Sequence, residues 1–286
     1  MIRPVTTEST AATVVVPTAG RPENLAMCLA ALAATDARPA EIVLVDQSGE
    51  GVAARAAAEY DEPFVRVVED DGRGAARARN RGAEAARGDL LLFVDDDCVA
   101  DPGIVGAARR LHREYPRAIL TGQMRAGGDR DAVPSVREDP EPRDFSGTFT
   151  CAALYTGSMA VPRREFLAFG GFDERFPSAG GEDNDFCYRW LRAGHELRYE
   201  PELIVTHRDW RTPEQLRAVR AEYGRAAGMF YAKHLRAGDV RVLTFLIGDL
   251  RILARAHLRA GSVSPIDTPA VGMQLRSIVT NWHRFA

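Results

Sequence analysis

Lysine is nearly missing from this 286-residue chain: Lys233 is the only one, and arginine supplies the remaining basic side chains. The bias fits a GC-rich coding sequence and carries no mechanistic weight. With a formal net charge of −3 the chain also lacks the basic excess that nonspecific nucleic-acid binding requires, so any nucleotide it handles is a small one. The four cysteines, Cys28, Cys98, Cys151 and Cys187, form no CxxC pair. Neither a zinc knuckle nor a disulfide framework is suggested, and reduced, mostly buried thiols are expected. The first residues, MIRPVTTESTAAT, have no apolar signal-peptide core, and no apolar run is long enough to span a bilayer. The expectation is a cytoplasmic protein, with peripheral contact at the inner face of the membrane left open. No internal repeat is present. A hydrophobic content of 45% excludes a disordered chain and allows one large α/β core or two modest ones.

The first half alternates β-branched runs with alanine-rich stretches, the pattern of parallel strands joined by helical crossovers. Strands are predicted at Thr13–Val16, Glu41–Asp46, Phe64–Val68, Leu90–Asp95 and Ala118–Thr121, with helices at Glu23–Ala34, Val52–Tyr60, Ala75–Ala86 and Gly103–Tyr115. Ligands of such sheets bind beyond the carboxyl ends of the strands, which places Pro17–Arg21, Asp46–Ser48, Glu69–Gly74 and Asp95–Cys98 along one rim. Arg125–Ser146 is rich in Gly, Pro and charge and reads as a long loop. A strand near Ala153–Val161, a helix near Arg163–Phe169, a second helix from about Asp183 to Ala193 and an extended stretch to His207 follow. From about Thr212 the pattern is mainly helical. The division is a flexible tail (1–11), a catalytic α/β unit (12–210) and a C-terminal helical extension (211–286).

LLLFVDDDC is the strongest feature, because an apolar strand ending in three acids concentrates charge that folding alone disfavours. Something positive should sit there. At an effective dielectric near 20, each carboxylate about 4 Å from a diphosphate is repelled by roughly 4 kcal/mol per charge pair, so a divalent cation is needed between them. Oxygen ligands suit Mg²⁺ or Mn²⁺. Capping of a following helix is the competing explanation of the acids.

The triplet has company: VVVPTAGR (14–21), VLVDQS (43–48), GRGAARARNRG (72–82), FVDDDC (93–98), TGSMAVPRR (156–164), GGFDERF (170–176), GGEDNDFCYR (180–189) and VTHRDW (205–210). In this order the chain, over roughly residues 12 to 210, resembles the family 2 glycosyltransferases. The resemblance implies a GT-A fold, a Rossmann-like and mainly parallel central sheet flanked by helices, and inverting transfer from a nucleoside-diphosphate sugar to an acceptor hydroxyl. Pro17, Thr18 and Arg21 would line the nucleotide pocket, Asp46 would bond the base, and Arg79 and Asn80 would reach the nucleotide or its phosphates. Taken alone, Asp46 serves equally well as a turn residue.

The family's Asp-x-Asp maps onto Asp95, for the ribose, and Asp97, for the metal. Asp96 stays uncommitted within the donor site. Cys98 stands where the family often has a further acid, which makes His207 a plausible extra metal ligand, against the structural role usual for a lone histidine. Gly157 and Ser158 would pass near the donor sugar. In GGEDND the resemblance makes Asp183 the general base and has Glu182 contact the acceptor; capping explains part of the pattern. Asp185 either supports Asp183 or pairs with Arg189, the former being preferred. Phe186 and Trp190 read as core. UDP is favoured slightly over GDP or dTDP, and the acceptor class stays open.

Leu243, Leu246, Ile247, Leu250, Leu253 and Leu258 share a helical stripe beside several arginines. Packing within the chain ranks first, a homodimer contact second and an anionic membrane surface third. Tyr223, Phe230 and Tyr231 face either core or acceptor. Two other functions compete. A sugar-phosphate nucleotidyltransferase would place a Gly-rich phosphate loop and a basic residue after the first strand, where PTAGRPEN is a poor match. A noncatalytic nucleotide-sugar or glycan-binding protein would have little reason to hold Asp95, Asp97 and Asp183 together.

Overall fold

The runs richest in Val, Ile and Leu form the middle of the sheet. In the computed structural model, which describes residues 10–60, 64–177, 180–248, 251 and 268–285, β1 (Ala12–Thr18), β2 (Glu41–Asp46) and β4 (Leu90–Phe93) are buried almost throughout. Such continuous burial requires cover on both faces. Val14 and Val16 of β1 pack with α1 (Pro22–Ala33), α2 (Val52–Ala57) and α4 (Ile104–Glu114). Val15, between them, packs with α3 (Ala75–Ala85), α5 (Arg163–Ala168) and α6 (Glu182–Arg192). Alternating side chains of one strand thus meet two helical layers.

The remaining strands are β3 (Val65–Glu69), β5 (Cys98–Ala100), β6 (Ile119–Gly127), β7 (Arg143–Asp144), β8 (Met159–Pro162) and β9 (Leu197–Arg208). Their order is β3-β2-β1-β4-β8-β6-β9-β5, with β7 also on β9. The first four are mutually parallel, β8 runs antiparallel to both its neighbours, and β6 and β9 are parallel. Along β9 Leu197, Tyr199, Leu203, Val205 and His207 are buried, so the histidine shares the parity of the core residues.

Several predicted boundaries move. The strand expected over Leu90–Asp95 ends at Phe93, and after the acids the chain re-enters the sheet as β5, too short for a periodic signal. The strand expected over Ala153–Val161 is confined to β8, because Thr156–Ser158 form a 3-10 turn. The predicted loop 125–146 is partly strand: β6 continues to Gly127 and β7 lies within it, both held by pairing to β9. Tertiary pairing overrides a Gly- and Pro-rich local composition here.

Thr212 and Gln215 form a reciprocal capping box at the start of α7 (Pro213–Arg236). Residues 243–248 are helical (α8), and α9 (Thr268–Thr280) lies along α7. Phe230 and Tyr231 of α7 enter a cluster with Phe176, Tyr188, Val242 and Phe285. Of the predicted stripe, Leu246 packs on this cluster while Leu243 and Ile247 are exposed; Leu250, Leu253 and Leu258 lie outside the described residues, as does most of the expected tail. Among the described residues no helix is long and apolar enough to cross a membrane.

Helix α3 approaches the sheet so closely that a Cβ on Gly82 would lie 2.2 Å from Val15 Cγ1 and 3.2 Å from Val45 Cγ2. Gly82→Ala is therefore expected to lower stability by about 1–3 kcal/mol, the usual cost of overpacking. An unchanged denaturation midpoint in urea would refute the tight helix-to-sheet contact.

Candidate functional site

Asp95, Asp96 and Asp97 form the turn between β4 and β5, closed by the Cys98 N–H donating to the Asp95 carbonyl at 3.0 Å. Each carboxylate has its own arginine. Arg79 Nη2 of α3 donates to Asp95 Oδ1 at 2.6 Å. Arg21, just before α1, places Nη2 2.5 Å from Asp96 Oδ1 and Nε 3.1 Å from Oδ2, which also accepts from Thr18 Oγ1 at 2.7 Å. Arg211, between β9 and α7, donates through Nη2 to Asp97 Oδ2 at 2.9 Å, beside Trp210 Nε1 at 3.0 Å. Burial pushes the Asp96 pKa up to about 7 against the pull of Arg21. Burial also works to raise Asp97, but His207, Arg21 and Arg211 outweigh it and hold that carboxyl below its ordinary value.

Asp96, uncommitted in the sequence reading, is fully buried and serves Thr18 and Arg21. Arg211 and Trp210 carried no assigned role. The only sequence signal for them is their place directly after the VTHRD run that ends β9.

Asp97, Cys98 and His207 bring a carboxylate oxygen, a sulfur and a ring nitrogen within 4.8 Å of one another. The pairing of β5 with β9 sets Cys98 opposite His207. His207 Nδ1 lies 3.1 Å from the Arg208 carbonyl, and Nε2 lies 3.6 Å from Asp97 Oδ1. Burial and the adjacent acids push the Cys98 thiol well above its ordinary value. The donor set is of a kind that can hold a divalent cation. Cys98, read from sequence as a loss to a metal site, has its sulfur inside this cluster.

Two cavities meet at the triplet. One lies beyond β1 and β2, lined by Pro17, Thr18, Arg21, Gln47, Asp97 and Arg211. The other lies between the 3-10 turn and the start of α6, lined by Tyr155, Gly157, Gly180, Gly181, Glu182 and Asp183. Arg79, Asp95, His207 and Tyr223 line both. Gly157 belongs here because a Cβ would sit 3.0 Å from Asp95 Oδ2. Tyr223 brings α7 into the site, while Phe230 and Tyr231 serve the core.

Gly180 and Gly181 reach φ of 96° and 93°, and a Cβ on Gly180 would meet the Tyr223 ring at 2.6 Å. Asp183 Oδ1 accepts from the Gly181 and Asn184 N–H groups at 3.1 and 2.8 Å. Glu182 Oε1 accepts from Arg79 Nη1 at 2.9 Å, whereas Oε2 is buried with no hydrogen-bond partner. Burial raises the pKa of both acids, and Asp183 raises that of Glu182 further. Asp185, about 200° round the helix from Asp183, points elsewhere. It binds Arg189 at 2.7 Å, Lys233 at 2.6 Å and His234 at 3.0 Å. The expected support of Asp183 is thus replaced by a tie between α6 and α7.

Three further predicted residues lie outside the lining of both cavities. Asp46 accepts from the Ser48 and Ala53 N–H groups, each at 2.8 Å, the turn and helix-start role open to it from the outset. Asn80 bonds both backbone groups of Phe172 at 2.9 Å and so fixes the GGFDE turn. Ser158 is buried, its hydroxyl donating to the Leu203 carbonyl at 2.9 Å.

Comparisons with known proteins bear on the family and the fold. The model of glycosyl transferase family 2 matches residues 13–168, and that of the N-terminal domain of galactosyltransferase matches 143–208. A pre-mycofactocin glycosyltransferase of Mycobacterium tuberculosis is 32% identical over 183 residues; the match takes in 57% of this chain but 36% of that protein's length. Crystalline GalNAc-T7 with UDP, GalNAc and Mn²⁺ superposes at a TM-score of 0.57 and 19% identity, over 80% of this chain and 51% of that one. S. aureus TarS 1-349 in complex with UDP gives 0.58 and 16%, over 96% and 83%. Both structural likenesses concern the fold.

Arg79 is nine-tenths buried between Asp95 and Glu182, so removing it strands a buried carboxylate. Arg79→Met is expected to cost about 3–5 kcal/mol, whereas Arg81→Met, removing an exposed pair with Glu84, changes stability by about 0.5 kcal/mol or less. Equal denaturation midpoints for the two variants would dismiss the bridging role.

Proposed function

Since the chain belongs to glycosyl transferase family 2 and carries the GT-A fold, we propose that it moves a sugar from a nucleoside-diphosphate donor to an acceptor hydroxyl by single displacement, inverting the anomeric carbon. The observation that carries this reading is the pair of cavities joined at Asp95. The arginine-lined cavity beyond β1 and β2 suits a nucleoside diphosphate, with Pro17, Thr18 and Arg21 on its wall and Asp95 toward the ribose. The cavity holding Asp183 and Glu182 suits the sugar and the incoming hydroxyl. UDP in two structurally similar proteins makes it the first donor base to try.

Asp97 and His207, with Cys98 beside them, are the residues that would hold a divalent cation. When bound, such a cation supplies positive charge to the departing diphosphate. An imidazole and a sulfur among the donors favour Mn²⁺ over Mg²⁺, which prefers oxygen alone. Arg211 and Tyr223 face the cavities from beyond residue 210, so the extension after 211 completes the catalytic unit of 12–210.

Asp183 is the group suited to receive the acceptor proton, because two backbone N–H groups fix Oδ1 and leave Oδ2 for the hydroxyl. Glu182 Oε2, buried and unpartnered, is placed to orient the acceptor. Asp183→Asn should cut transfer by about 10²–10⁴-fold while nucleoside-diphosphate binding stays near the parent value. Turnover within a few-fold of the parent would remove Asp183 from the role of base.

The raised pKa of Asp183 also sets the pH response. A base acts when deprotonated, so kcat/KM should rise with pH through a value above the ordinary aspartate pKa of about 3.9. Glu182 titrates beside it, and the rising limb belongs to the pair. A pH profile already flat from pH 4 upward would contradict this assignment.

A further inference from the structure

Arg211 differs from the other two arginines of the triplet in having a buried terminal nitrogen without a partner; in Arg79 it is the inner Nε that lacks one. Arg79 divides its guanidinium between Asp95 and Glu182, and Arg21 commits two of its nitrogens to Asp96. Arg211 spends only Nη2, on Asp97. Its Nη1 is buried without a hydrogen-bond partner, its side chain is 10% exposed, and it lines the arginine-bearing cavity. A buried guanidinium N–H without an acceptor is costly, so the cavity is incomplete as it stands. A phosphate oxygen entering the cavity would supply the acceptor that Nη1 lacks.

Arg211 also occupies the carboxylate that the cation cluster needs. A dication approaching Asp97 is opposed by the positive charge of two guanidinium groups on Oδ2, with Arg211 Nη2 at 2.9 Å and Arg21 Nη1 at 3.6 Å. The residue sits in the short link between the end of β9 at Arg208 and the Thr212 cap of α7. It can therefore change partners without disturbing either element.

We propose that Arg211 is an exchangeable cation: it neutralises Asp97 in the empty site, then passes to the donor's phosphate oxygens as the divalent cation takes Asp97. The inference rests on the nucleotide-sugar reading above. Its consequence is thermodynamic coupling, in which metal and nucleoside diphosphate each bind poorly alone and each strengthens the other by the same factor.

Calorimetry on the full chain tests this, using Mn²⁺ and whichever of UDP, GDP or dTDP binds the parent protein. In the parent, each ligand should tighten the other by about tenfold or more. In Arg211→Gln, Mn²⁺ alone should bind more tightly than to the parent, because Asp97 is released. The nucleotide with Mn²⁺ should bind about tenfold more weakly, so the coupling shrinks. Independent binding of the two ligands to the parent overturns the proposal whatever the variant does, as does a variant whose affinity for Mn²⁺ alone is unchanged or lower. If no nucleoside diphosphate binds the parent with or without Mn²⁺, the donor reading itself fails.

Discussion

Three consecutive carboxylates at the end of a buried strand can be tolerated only if each is neutralised, and much of the site follows from how that is done. The partners are three arginines from three separate parts of the chain: Arg79 on α3, Arg21 before α1, and Arg211 after β9. One turn thereby ties together the start of α1, the body of α3 and the link into the C-terminal helices. The same arginines give the cavity beyond β1 and β2 its cationic wall, where a diphosphate would meet cations already in place rather than solvent. On the proposed reading, one set of ion pairs would serve both folding and anion recognition.

Helix α6 shows how a short acidic motif separates two tasks by phase. Glu182 and Asp183 open the helix toward the cavity, while Asp185 faces the opposite side and grips Lys233 and His234 of α7. The only lysine in the chain is therefore spent on holding the C-terminal helix in place. That helix returns Tyr223 to the cavity, so the packing on one side of α6 supports the wall on the other.

The parts of this arrangement that depend on local pattern were legible in the sequence: the parallel strands β1 to β4, the helices between them, the acidic turn, and the start of α6. What was not legible depends on contacts between distant segments. Arg211 and Asp97 are 114 positions apart, and nothing in the periodicity of either segment names the other. Asp46 does end β2 at the rim, yet its side chain is consumed by a turn, and Asn80, expected to reach the nucleotide, is consumed by a neighbouring loop. Strand β5 escaped notice because three residues carry no period, and with it went the pairing that sets Cys98 against His207.

From Leu203 to its end strand β9 alternates buried with half-buried positions, and His207 is buried because it is odd-numbered like Leu203 and Val205. The strand therefore works as a counting device: the histidine's direction is decided by how many residues separate it from the last core contact, not by any property of the imidazole. One residue added or lost between Leu203 and His207 would turn the ring toward solvent and swing Arg208 inward, with every neighbouring side chain chemically unchanged. In this segment the direction of the imidazole depends on length, and composition has more latitude than spacing.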